Sequence, residues 1–155
     1  ILYNVPSRTG VDIPVAVYQA LSLILNIAGV KEATTDIVKI ARIREACPEL
    51  PLYSGNDDQI VPSISLGAKG VISVLSNILP VQTQAMAEAA LAGDLDTAAA
   101  LQQELQPLIE LLFCEPNPIP VKAAMKYIGF DCGGCRMPLS QASSETKAKL
   151  KKYLT

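Results

Sequence analysis

Asn26-Ile27-Ala28-Gly29-Val30-Lys31-Glu32-Ala33-Thr34-Thr35 is the stretch around which the chain is organised. An apolar run, Ile27 to Val30, delivers one lysine and then turns polar. The pattern predicts a short buried strand, Ile27–Lys31, whose last residue emerges at a polar mouth. A lysine held there is partly stripped of water, which disfavours the ammonium form. A neutral amine can attack a ketone and form a Schiff base. On this stretch alone the simpler alternative is a lysine that caps a strand and points into solvent.

Outward from this strand the same unit repeats. Ile1–Val5 reads as a strand, broken by a loop at Pro6-Ser7-Arg8-Thr9-Gly10. Asp12 is placed to cap a helix, Pro14 suits its first turn, and Val15–Leu25 has helical apolar spacing. After the lysine strand, Thr34-Thr35-Asp36 starts a helix over Ile37–Ala46, ended by Cys47-Pro48. Leu52–Gly55 is a third strand; Asn56-Asp57-Asp58 caps a helix through Leu66; Val71–Leu75 is a fourth strand; and a helix from Ser76 runs to about Ala92. Four strand–helix units in succession predict a parallel sheet with helical crossovers.

Two architectures satisfy that pattern: an open doubly wound sheet, or half of an eight-stranded (β/α) barrel. No glycine-rich phosphate fingerprint follows any strand, which weakens the nucleotide-binding version. In both, functional residues sit just past the strand C-termini, and Tyr3, Arg8, Lys31 and Gly55 fall at or near such positions. From Gly93 the pattern is helix only. Asp94–Cys114 is one long apolar-periodic helix, three prolines within Pro116–Pro120 forbid its continuation, Val121–Ile128 is a second helix, Asp131–Leu139 a loop, and a last lysine-rich helix starts at Ser140 or Ser143.

Composition narrows the function classes. The chain has 155 residues, half of them apolar, with a net charge of −2 and no histidine. That is one domain's length and excludes His triads and His metal ligands. The absence of a basic stripe argues against nucleic acid or an anionic membrane as partner. No apolar run is long enough to span a bilayer. Four cysteines in a helix-rich chain do not form a disulfide framework, so a cytoplasmic setting is expected. The chain opens inside a strand and reads as a fragment. The pair Cys132-Gly133-Gly134-Cys135 is a lone CxxC, read as a turn rather than a redox or zinc motif. Asp57-Asp58 reads as helix capping rather than a metal pair.

Taken together, Tyr3-Asn4-Val5-Pro6-Ser7-Arg8-Thr9-Gly10 and Gly29-Val30-Lys31-Glu32-Ala33-Thr34 resemble the dihydrodipicolinate synthases, a branch of the pyruvate-dependent class I aldolase family that also holds the N-acetylneuraminate lyases. Ser54-Gly55-Asn56-Asp57, Gly70–Val74 and Glu115–Lys122 resemble them too, in the same order along the whole chain. The resemblance implies the second half of a (β/α)8 TIM barrel over residues 1–93 and a C-terminal helical region over 94–155. It implies that Lys31 forms the Schiff base with pyruvate, that the resulting enamine attacks aspartate semialdehyde, and that Tyr3 relays protons. It matches Arg8 to the arginine that holds the substrate carboxylate, a role suited to a guanidinium fork. It matches Gly55 and Ile72 to positions lining the pocket. Without the match, Tyr3 and Ile72 read as core residues and Arg8 as a solvated loop charge. No cofactor or metal is implied, because the lysine itself supplies the electron sink.

Arg8 favours the synthase branch over the lyases, which generally lack it. The family's remaining proton-relay residues and its lysine-feedback site belong to the first half of the barrel. The implied partners are therefore that missing N-terminal half and further subunits, the family being usually tetrameric. A noncatalytic half-barrel whose main activity is association is the rival from another class.

Overall fold

The computed structural model describes all residues, Ile1–Thr155. Three short parallel strands, β1 (Leu2–Asn4), β2 (Val30–Glu32) and β3 (Leu52–Ser54), lie side by side in sequence order. Their register places Tyr3 beside Lys31 and Lys31 beside Tyr53, and likewise Asn4 beside Glu32 and Glu32 beside Ser54. The crossovers are α1 (Pro6–Thr9) with α2 (Val15–Ser22), then α3 (Ile37–Ala46); α4 (Ile60–Ser65) follows β3. The strand–helix alternation expected from the sequence is therefore present as a three-stranded parallel sheet with helices.

The expected fourth strand is much reduced. Val71 makes a single parallel bridge to Ser54, supported by the Ser54 N–H on the Gly70 carbonyl and the Ile72 N–H on the Ser54 carbonyl. Beyond Ile72 the buried Asp57 carboxylate takes over: its Oδ2 accepts the N–H groups of Val74 and Leu75, each at 2.9 Å. Residues 75–77 then form a 3₁₀ turn instead of extending the ladder. Asp57 is thus no cap for its own helix; it satisfies the start of a turn 18 residues away.

Other boundaries shift for local reasons. Pro6–Thr9 is one helical turn rather than a loop: Pro6 supplies the fixed φ of a first helical position, and Gly10, at φ 67°, returns its N–H to the Pro6 carbonyl. Asp12 does not cap α2, whose N-cap is the extended Pro14. That helix also stops at Ser22, leaving Leu23 and Leu25 exposed.

The rest is helical: α5 (Pro80–Ala92), α6 (Leu95–Phe113), α7 (Ile119–Tyr127) and α8 (Ser144–Leu154). Gly93 separates α5 from α6 in the left-handed conformation, at φ 83°. The Asp94 side chain accepts from the Thr97 N–H and the Ser143 hydroxyl from the Thr146 N–H, the N-caps that start α6 and α8. α7 begins two residues earlier than its apolar pattern suggests, with a proline in its first turn, where the N–H has no helical partner anyway. α6 packs on α4, α5 and α7. Its Leu108 and Leu112 join Met86 of α5 and Leu150 of α8 in one core with Ile40, Leu52 and Ile60.

The two faces of the sheet differ. Leu52, Val30, Asn4, Glu32 and Ser54 are buried beneath the helices, whereas Tyr3 is 48% and Ile72 40% exposed on the other side. Parallel strands are normally covered on both faces.

Candidate active site

The open face carries Tyr3, Lys31 and Ile72 of the residues that sequence reasoning singled out. Alternation along a strand sends Tyr3 and Lys31 to the same side, and the register makes them neighbours. The Lys31 Nζ lies 4.4 Å from the centre of the Tyr3 ring, a cation–π distance. No carboxylate pairs with this ammonium. It is half-buried, in the middle of a short parallel strand flanked by strands on both sides.

Gly55 follows β3, and its N–H donates to the Glu32 carbonyl at 2.7 Å, one residue beyond Lys31. A Cβ at Gly55 would sit 2.8 Å from the Ala33 Cβ, so the close approach of β3 to β2 requires glycine here. Ile72 sits beyond the bridge at the edge of the sheet, tied by its N–H to Ser54. Arg8, in the last turn of α1, has no bond to Lys31 or Tyr3. Both terminal nitrogens of its guanidinium donate to the Asn117 carbonyl, at 3.2 and 3.3 Å, just before α7. The C-terminal helices thereby hold an arginine that belongs to the first strand–helix unit. The structure thus brings Tyr3 and Lys31 into contact, places Gly55 just past β3 and Ile72 just past the isolated Val71 bridge, and leaves Arg8 anchored elsewhere.

Sequence reasoning missed what lies behind the sheet. Asn4 and Glu32, one residue past Tyr3 and Lys31, point into the core and are each 1% exposed. Glu32 Oε1 accepts from Asn4 Nδ2 at 2.7 Å and from the Thr34 N–H at 2.8 Å. Its Oε2 accepts from the Tyr18 hydroxyl at 2.8 Å and faces Lys39 Nζ at 3.8 Å. Lys39 also pairs closely with Asp12, which in turn accepts from Asn4 Nδ2 at 2.8 Å. The Asn4 Oδ1 takes the Ile13 N–H, closing the set. The bond from Lys39, aided by Asn4, holds the Asp12 carboxyl below its ordinary value. Burial, reinforced by the Glu32 charge, pushes the Tyr18 hydroxyl well above its own. Polar residues at the inward positions of two adjacent strands were the available signal, since an unpaired buried carboxylate or amide is costly.

The cysteines form no disulfide, and Cys132 and Cys135 are half-buried in the connection between α7 and α8. There the ammonium of Lys122 donates to the Cys132 and Gly134 carbonyls, at 3.3 and 2.7 Å. No helix is long and apolar enough to cross a membrane.

Known proteins share the sequence and fold of this chain. A profile of the dihydrodipicolinate synthetase family matches residues 1–155. The 4-hydroxy-tetrahydrodipicolinate synthase of Caldicellulosiruptor bescii is 47% identical over 154 residues, 99% of this chain and 52% of the relative. That of an Exiguobacterium species is 50% identical over 150 residues, 96% of this chain and 51% of the relative. Among solved structures, dihydrodipicolinate synthase from Aquifex aeolicus superimposes with a TM-score of 0.94 at 39% identity, covering 98% of this chain and 53% of that one. The chloride-inhibited Acinetobacter baumannii enzyme, complexed with pyruvate, gives 0.94 at 38% identity, covering 99% and 53%. The chain thus spans about half the length of the relatives it matches. With a lysine and a tyrosine paired on adjacent parallel strands and a family profile matched from its first residue to its last, it belongs to the dihydrodipicolinate synthetase family.

Proposed function

We propose that this chain is the lysine-bearing half of a synthase that condenses pyruvate with L-aspartate 4-semialdehyde to 4-hydroxy-tetrahydrodipicolinate, in lysine biosynthesis in the cytoplasm. The Lys31 amine attacks the ketone carbon of pyruvate; water leaves and a protonated imine remains. Loss of a methyl proton to a base gives the enamine, whose carbon bonds to the aldehyde carbon of the semialdehyde. The aldehyde oxygen takes up a proton, and attack of the semialdehyde's amine on the imine carbon closes the ring and releases Lys31. Tyr3 relays protons, since a phenol both donates and accepts. Arg8 receives the semialdehyde carboxylate, with the Asn117 carbonyl holding the guanidinium in place. Gly55 and Ile72 line the pocket.

Residues 1–93 form the second half of a (β/α)8 barrel, and residues 94–155 a helical region that buttresses it. The exposed face with Tyr3 and Ile72 is, on this proposal, the barrel interior, which a first half would cover. The chain alone has little turnover, and the assembled enzyme is a tetramer. The observation that carries the proposal is the pairing of Lys31 with Tyr3 on that face.

Borohydride trapping with pyruvate, read by intact mass and peptide mapping, tests it on this chain alone and with the first half added. An adduct on Lys31 in either sample is the expected result. Absence of an adduct in both, with folding intact, refutes the enzymatic role and favours a purely assembling half-barrel.

A further inference from the structure

We infer that Glu32 is a positioning residue for the Lys31–Tyr3 pair: a buried carboxylate that holds β1, β2, α2 and α3 in one arrangement behind it. The inference rests on the proposed role of Lys31. Glu32 follows Lys31 directly, and its side chain leaves the opposite face of the strand. Its acceptors are divided between elements: Oε1 serves Asn4 of β1 and the Thr34 backbone, while Oε2 serves Tyr18 of α2 and faces Lys39 of α3. Asn4 follows Tyr3 as Glu32 follows Lys31, so the Asn4–Glu32 bond fixes from behind the register that pairs Tyr3 with Lys31 in front. Strands of three residues share few ladder bonds, and a one-residue slip would turn every side chain to the other face. Three donors converging on one buried carboxylate, with Lys39 as the nearby cation, specify a single register.

The Glu32→Gln variant tests this. With an NH₂ group at the Oε1 position, Asn4 and the Thr34 N–H lose their acceptor; with it at the Oε2 position, the Tyr18 hydroxyl loses its acceptor; in either case the charge facing Lys39 is gone. Two readouts are taken with the first half of the barrel present. One is the rate of borohydride-trapped adduct formation at Lys31. The other is the upfield ring-current shift that the Tyr3 ring imposes on the Lys31 ε-methylene protons by NMR, which needs no chemistry. Ile109→Val, in the core of α6 and away from the sheet, is the control for plain destabilisation.

Glu32→Gln is expected to slow trapping by roughly 10- to 100-fold, as for a misplaced reacting group, and to diminish the ring-current shift, while Ile109→Val changes neither. Where Glu32→Gln fails to fold, Lys39→Met replaces it, and Lys39→Arg is expected to restore both signals. Trapping and ring-current shift both at the level of the Ile109→Val control overturn the inference. If the unsubstituted protein traps nothing, the Schiff-base role falls, and the ring-current arm alone decides whether Glu32 sets the geometry of the pair.

Discussion

Replacing Gly55 by alanine isolates the close approach of β3 to β2 that places a strand end beside Lys31. An added Cβ would stand 2.8 Å from the Ala33 Cβ and 3.2 Å from both the Ala33 Cα and the Glu32 carbonyl oxygen. Favourable carbon–carbon contact begins near 3.5 Å, so the end of β3 must withdraw by about 0.7 Å or more. The Gly55 N–H bond to the Glu32 carbonyl, now 2.7 Å, would lengthen beyond useful range. Its loss contributes about 1 kcal/mol and the residual overlap another 1–2 kcal/mol, so the variant loses about 2–3 kcal/mol. In a domain this size that corresponds to a Tm lower by roughly 4–12 °C. Gly55 does not lie at positive φ, so the loss is one of space and not of backbone strain. Gly134, also outside the positive-φ set and with nothing within 4 Å of an added Cβ, is the matched control and stays within about 0.5 kcal/mol on changing to alanine. The assay is urea unfolding of both variants, read at constant slope. Gly55→Ala with the stability of Gly134→Ala would refute the steric reasoning and with it the tight β2–β3 junction.

Arg8→Ala loses only exposed contacts to the Asn117 carbonyl, so its stability should change by less than about 1 kcal/mol, while its KM for the semialdehyde, measured with the first half of the barrel present, rises; unchanged KM values for both substrates would exclude the carboxylate role. Asp57→Ala leaves the Val74 and Leu75 N–H groups without their acceptor and should lower stability by about 2–4 kcal/mol, whereas Asp57→Asn, which keeps one carbonyl oxygen, should lose less in the same denaturation series. The Asp12 carboxyl is held low by Lys39 and Asn4, so its contribution is present above the ordinary carboxylate value of about 3.9 and is lost as pH falls through its lower folded value. More than half of the Asp12 side chain is exposed, which limits the effect to about 1 kcal/mol; Asp12→Asn should flatten the acid limb of the stability profile, and an unaltered limb would contradict the Lys39 pairing.

Much of the fold was legible because it is encoded between near neighbours. Apolar runs one unit apart marked β1, β2 and β3, and Gly93, Asp94 and Ser143 marked helix ends through backbone conformation and caps that act within a few residues. The same locality explains the shifts: Pro6 and Gly10 made a helical turn where a loop was expected, although both signals were on the page of the sequence. Val71–Leu75 had the composition of a strand, but its course beyond Ile72 depends on a carboxylate contributed by residue 57.

The sequence by itself determined that this chain alternates strand and helix, that Lys31 and Tyr3 lie on strands, and which family motifs surround them. Only the tertiary structure decided that the two side chains meet on one uncovered face, that Asn4, Tyr18, Lys39 and Asp12 join Glu32 behind it, and that Asn117 anchors Arg8 from 109 residues away. The physical reason is range. Periodicity and caps act over one or two turns of chain, whereas a buried polar atom takes whichever partner the packing of distant elements brings within about 3 Å.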